Sequence, residues 1–340
     1  MRISDKPKIV VVGGGTGSFT VLSGLKRYPV DLTAVVAMTD SGGSSGVLRD
    51  EFGHLPPGDV RQCLIALSPD ERPTQTLRDL FSYRFDKGAG LDGHSFGNLF
   101  LTALTEITGG ADKAIAEAGR ILGIVGQVLP VTLTNAQLCA RLEDGSEIVG
   151  EANIDVRKAG ATSSIDYVYL TPQAFAHPPA VQALEEAAAI VIGPGDLYTS
   201  LIPNLLVEGV PEAIARSRAK VVFVCNLMTK RGESEGYRAS DFVGEVLRYM
   251  GPRPHLDYVV LNNAGFPTRL LRRYALQHAH PVESDVEACR QLVRQVVEAP
   301  LLAAGTLLRH DAAKLAATIM EIAKKRRAAR VYASKATPAP

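Results

Sequence analysis

The sequence lacks an excess of charge of either sign: 37 basic residues stand against 36 acidic ones, for a formal net charge of +1. A dedicated nucleic-acid binder would carry a basic surplus, so nucleic acid is not an expected partner. Paired cysteines are missing too. Cys63, Cys139, Cys225 and Cys289 are scattered without a CxxC motif, each in an apolar setting, and read as buried free thiols of a reducing compartment. No stretch is apolar for long enough to span a bilayer, and the N-terminus lacks the order of a signal peptide. A cytoplasmic protein without membrane insertion is therefore expected.

What is present begins at residues 8–20, Lys-Ile-Val-Val-Val-Gly-Gly-Gly-Thr-Gly-Ser-Phe-Thr. A short β-branched run (9–12) predicts a buried strand, and a helix is expected over 19–28. Glycine has no Cβ, so Gly14, Gly15, Thr16 and Gly17 can bring backbone N–H groups close to a phosphate at a helix N-terminus. The spacing is neither the dinucleotide G-x-G-x-x-G nor a P-loop.

A second strand (31–38) ends at Asp40, about where a dinucleotide fold places its ribose-binding acid. Asp40 opens a Gly/Ser loop, residues 40–46, whose Ser44 and Ser45 suit phosphate or sugar oxygens. Asp59 follows Pro-Pro-Gly and reads as the N-cap of a helix through Leu67. Arg61 in that first turn opposes the helix dipole, so an anion is expected nearby. His94 and Ser95 lie on a glycine turn before a helix over 99–107, where Ser95 or Asn98 could cap or touch a ligand.

Helices are expected over 74–85 and 111–122. Residues 127–170 read as a mostly antiparallel β insertion, with a hairpin at Asp144-Gly145. Parallel α/β character then returns, with strands at 189–192, 220–225 and 255–261 ending in Asp196, Asn226 and Asn262. With Asp40, four strand ends carry polar groups. Open α/β sheets bind ligands beyond the carboxyl ends of their strands, so these four predict a shared cleft. Arg309 precedes a helix over 312–323 capped by Asp311 and could reach a diphosphate; Tyr274 sits on another helix beside Arg272 and Arg273. The Lys324–Arg327 run with Arg330 reads as a solvated helix end, and residues 331–340 as a disordered tail after a single domain of residues 1–330. The fold class expected is α/β: a Rossmann-like, mostly parallel sheet with helices on both faces.

Taken together, residues 13–20, 39–46, 55–62, 93–99, 193–203, 226–237, 262–263 and 309–311 resemble the YvcK-type gluconeogenesis-factor family, a branch of the 2-phospho-L-lactate transferase (CofD-like) superfamily. The likeness runs from about residue 8 to about residue 323. It implies a Rossmann-like cytoplasmic protein that binds UDP-N-acetylglucosamine and regulates carbon metabolism and cell-wall morphogenesis, with protein partners rather than a catalytic set of its own. It also implies sugar-nucleotide contacts at the positions of Tyr274 and Arg309. The transferase relatives use a guanylyl-activated donor and a divalent metal held by aspartates, near which Asp40 and Asp59 fall; here Asp40 is followed by Ser-Gly-Gly in place of a second acid. A magnesium-dependent transferase is thus the rival expectation. An NAD-dependent oxidoreductase would rest on Asp40 alone. A homodimer is expected from symmetry statistics.

Overall fold

The computed structural model describes residues 6–70, 72–157 and 163–325. In chain order the elements are β1 (Lys8–Gly13), α1 (Gly15–Leu25), β2 (Asp31–Val36), α2 (Gly43–Phe52), α3 (Gly58–Leu67), α4 (Arg72–Ser82), α5 (Phe96–Thr108), α6 (Ala111–Leu122) and β3 (Gln127–Pro130). Then come β4 (Gln137–Leu142), β5 (Glu147–Val149), α7 (Glu151–Asp155), β6 (Ile165–Thr171), α8 (Pro178–Glu186) and β7 (Ala189–Ile192). A π-helical turn (Leu197–Leu201) leads into α9 (Ile202–Leu205) and α10 (Val210–Arg216). The chain closes with β8 (Lys220–Val224), α11 (Ala239–Arg248), β9 (Tyr258–Asn262), α12 (Thr268–Ala275), α13 (Val286–Leu292), β10 (Gln295–Ala299) and α14 (Ala312–Lys324).

Seven strands form one parallel sheet in the order β10-β9-β8-β7-β1-β2-β3. Successive residues of a strand point to opposite faces, yet Ile9, Val10, Val11 and Val12 are all buried, so both faces are covered. Strand order reverses between β1 and β7: β2 and β3 continue to one side, β8 to β10 to the other. Such a switch point leaves a crevice at the carboxyl ends of the two central strands, because their following helices depart in opposite directions. Helix α1 packs closely beside α14; a Cβ on Gly24 would meet the Ala312 carbonyl oxygen at 2.1 Å.

Several local expectations change. Residues 127–130 do not belong to the antiparallel insertion. They pair in parallel with Thr33–Val36 as the edge strand of the main sheet, leaving a separate three-stranded sheet, β5-β4-β6, that begins at Gln137. The Gly/Ser loop after Asp40 is already helical from Gly43; glycine and serine are poor helix formers, so the pattern concealed α2. Helix α1 likewise starts at Gly15 instead of residue 19. Asp59 is not an N-cap: Pro57 holds that position and Asp59 lies in the first turn. Strand β10 and helix α13 had no clear periodic signal. Asp311 does cap α14, its carboxylate accepting from Ala313 and Lys314 N–H. Arg326, Arg327, Arg330 and residues 331–340 lie outside the described residues. All four cysteines are buried and free. Among the described residues no helix is long and apolar enough to cross a membrane.

Candidate functional site

The glycine loop after β1 is held from two sides. Gly14 is extended, Gly15 has φ +56°, and α1 starts at once. Beneath the loop lies Asp59: a Cβ on Gly14 would fall 2.1 Å from its Oδ2. The Gly15 N–H bonds to the Asp59 carboxylate, so part of this amide nest is answered by the chain itself. Burial, reinforced by Asp40, pushes the Asp59 carboxyl up to about 7, against that hydrogen bond. On the other side Gly17 presses on the exit of β7, where a Cβ would stand 1.8 Å from the Pro194 carbonyl oxygen.

Asp40 sits at the end of β2 with Oδ1 accepting the Gly42 N–H at 3.0 Å, and its Oδ2 abuts Gly58. Glu151, which no spacing in the sequence singled out, joins these acids from α7. Its Oε2 accepts the Ser41 N–H at 3.2 Å, and burial together with Asp40 pushes it up to about 8. Ser44 and Ser45 turn inward. Ser44 Oγ contacts His94 Nδ1 at 3.2 Å and accepts from Ser95 N–H and Asn98 Nδ2, both at 3.3 Å. Asn98 Nδ2 also donates to Ser45 Oγ at 3.3 Å. Asn98 Oδ1 accepts from Arg61 Nε at 2.9 Å, and the Arg61 guanidinium donates further to the Phe81 carbonyl at 3.2 Å. Burial, with Arg84, lowers the Arg61 pKa, and the acids found near it, Asp40 and Asp59, act against that shift. His94 pairs with Ser44, fifty residues away, and not with its neighbour Ser95. The interior position of Asn98 and both serines makes them braces between the N-termini of α2 and α5.

At the switch point a cleft of about 180 Å³ gathers six of the candidates: Thr16, Gly17, Asp196, Asn226, Tyr274 and Arg309. Asn226 lines it while bracing the Gly195 peptide, its Nδ2 donating to Gly195 O at 2.9 Å and its Oδ1 accepting from Gly195 N at 3.4 Å. The Tyr274 hydroxyl accepts the Leu308 N–H at 3.2 Å, fixing the loop that presents Arg309. Arg309 is exposed, and among the described residues it has no acidic partner. Beside it His310 is buried; burial lowers its pKa to about 4, so the ring is neutral at pH 7, and Nε2 has no partner. Asn262 is not brought in. Its amide closes its own loop, bonding Ala264 O at 3.0 Å, Ala264 N at 3.2 Å and Leu301 N at 3.0 Å.

Asp196 also belongs to a trio with Asp155 and Glu233 whose carboxylates approach one another within 4.8 Å. Lys230 Nζ fills the centre: it contacts Asp155, Asp196 Oδ2 at 2.7 Å and Glu233 Oε1 at 2.8 Å. The acids raise the Lys230 pKa and keep it charged, and its ammonium offsets the negative charge that Asp196 would otherwise show an anionic ligand. Glu233 in turn receives the Tyr198 N–H at 3.2 Å, holding the π-helical turn. Sequence reasoning passed over Lys230 and Glu233, whose partners come from three separate connections.

Comparison with known proteins places the chain by family and fold. The family model described as 2-phospho-L-lactate transferase CofD matches residues 9–302. A putative gluconeogenesis factor of Nostoc sp. is 47% identical over 322 residues, covering 94% of this chain and 69% of its own. The gluconeogenesis factor of Bacillus subtilis is 40% identical over 325 residues, covering 95% of this chain and 100% of its own. A crystal structure of a Bacillus halodurans protein superposes with a TM-score of 0.88 at 40% identity, over 93% of this chain and 100% of that one. The chain therefore belongs to the CofD family, in its branch of gluconeogenesis factors.

Proposed function

We propose that the switch-point cleft binds a nucleotide sugar, UDP-N-acetylglucosamine, and that the protein is a regulator linking gluconeogenic carbon metabolism to cell-wall synthesis and cell shape. The observation that carries this reading is the meeting, in one cleft, of the α1 N-terminus at Thr16 and Gly17 with the exposed guanidinium of Arg309 and the ring of Tyr274. A diphosphate satisfies both the orphan helix amides and the arginine, and an aromatic wall suits a base or sugar face.

Titration calorimetry with UDP-N-acetylglucosamine, with GDP and NAD as competitors, tests the reading, provided the recovered ligand is checked by chromatography. Tight binding of intact ligand supports it; chemical alteration, or preference for GDP with magnesium, defeats it. Arg309→Ala should weaken binding by about 1.5–3 kcal/mol, roughly 10- to 150-fold, if the guanidinium meets the diphosphate. Unchanged affinity would remove Arg309 from the site.

A second reading, a metal-dependent transferase of the CofD type, is favoured by one observation: Asp40 and Asp59 lie close enough for Asp40 to raise the Asp59 pKa. Two oxygen donors of like charge suit a hard cation, so these residues would hold Mg²⁺, which when bound would neutralise phosphate charge. Asp59→Asn should then abolish any magnesium-dependent consumption of a guanylyl-activated donor. Consumption that persists in this variant would exclude the assignment.

A further inference from the structure

Helix α12 has eight residues and none of them is buried. Its inner side carries the half-buried Leu270, Leu271 and Tyr274. Its outer side is a single stripe, Arg269, Arg272, Arg273 and Leu276, spaced i, i+3, i+4 and i+7, and every member is exposed. Leu276, just past the helix end, is 84% exposed. Among the described residues Arg269 and Arg272 have neither an ion pair nor a hydrogen-bond partner for their guanidinium groups. Arg273 is committed inward, donating to the Thr306 carbonyl at 2.6 Å and lying 5.5 Å from the Tyr274 ring centroid.

Unopposed guanidinium groups flanking one bare leucine are unusual on a chain whose overall charge is near zero. We propose that this stripe is a docking surface for an acidic segment of a partner protein, with an apolar side chain of that partner covering Leu276. Charge complementarity selects the occupant. A second copy of this chain meeting the stripe across a twofold axis would oppose arginine with arginine. One leucine offers too little apolar area to insert into a bilayer. A net charge of +1 supplies no wider basic field for a nucleic-acid backbone.

The surface is joined to the ligand cleft. Tyr274 and Arg273 hold Leu308 and Thr306, in the loop that presents Arg309. A ligand that moves this loop, and through Tyr274 and Arg273 the helix, would shift partner affinity by the same factor by which the partner shifts ligand affinity. This linkage, unlike the docking itself, rests on the nucleotide-sugar reading.

The test is fluorescence anisotropy of the full chain with a labelled peptide of Glu-Glu-Leu-Glu repeats, and with phosphatidylserine-containing vesicles and a short DNA duplex in parallel. Saturable binding of the peptide at one site is expected, weakened at least about tenfold in R269E/R272E and severalfold in Leu276→Asp, as for loss of charged and apolar anchors. UDP-N-acetylglucosamine should change the peptide affinity by about fivefold or more. Peptide affinity that is absent, or equal in the R269E/R272E variant, overturns the proposal, as does stronger capture by vesicles or DNA. Calorimetry separates the two readings: R269E/R272E should bind the nucleotide sugar like the parent, since neither residue lines the cleft. Peptide binding by a parent that ignores UDP-N-acetylglucosamine would leave the docking surface standing and sink only the linkage.

Discussion

Gly17→Ala should lower the unfolding free energy by about 3 kcal/mol or more, the upper range for steric insertion into a packed site. The added Cβ would stand 1.8 Å from the Pro194 oxygen, 2.6 Å from the Pro194 carbonyl carbon and 3.2 Å from the Gly195 Cα. All three are backbone atoms, so no side chain can rotate away. The α1 N-terminus and the β7 exit must separate instead, and these two adjoining segments both line the cleft. Ligand affinity should fall with stability. Gly244, within α11, is the control: a Cβ there meets nothing within 4 Å, so Gly244→Ala should be neutral or stabilise by up to about 1 kcal/mol. Urea unfolding of both variants decides. A loss below about 1 kcal/mol for Gly17→Ala would show that the two segments are not held as closely as described.

Asp59 and Glu151 together should lower stability by roughly 2 kcal/mol between pH 6.5 and pH 8, in the same direction as buried Glu233, whose pKa is also raised. Asp59 and Glu151 have folded pKa values raised to about 7 and about 8, from 3.8 and 4.5. In the unfolded chain both are already ionised above pH 6.5, whereas the folded chain still holds their protons. A state that binds more protons is disfavoured as pH rises, so folding stability is lost through the folded pKa values and levels off above them. His310 acts the other way, but only below its unfolded value of 6.5, because it is neutral in the fold and must charge on unfolding. That sets the lower end of the window. Asp59→Asn and Glu151→Gln should each flatten the fall and stabilise the protein at pH 8. Urea midpoints at half-unit pH steps check this; stability that rises across the window, or an unchanged slope in both variants, would refute the buried-acid account.

Both predictions depend on contacts that join distant parts of the chain, and that is where the sequence stopped being informative. The β-branched run before Gly13, the strand ends at Asp40, Asp196 and Asn226, and the Asp311 cap were legible because each is a local pattern: burial on both faces, a strand terminus, an N-cap. Local pattern also misled. Gly/Ser density masked α2, and residues 127–130 were grouped with the antiparallel strands that follow them, because a strand's composition does not state its partner.

Tertiary structure decided which polar groups face the cleft and which are spent on the backbone. Asn262 ends a strand as Asn226 does, yet β9 lies two strands from the switch point and its amide closes its own loop. Asp59 became a strongly perturbed acid only because α3 carries it beneath the Gly14–Gly15 turn, beside an acid from β2. Lys230 became the hub of three carboxylates only when α7 and the β7 and β8 connections converged. Sequence by itself determined the parallel α/β core and its glycine loop, since hydrophobic period and glycine's missing Cβ act within a few residues. Strand order and crossover connections set the distances between charges far apart in the chain, so the electrostatics of the site belong to the fold.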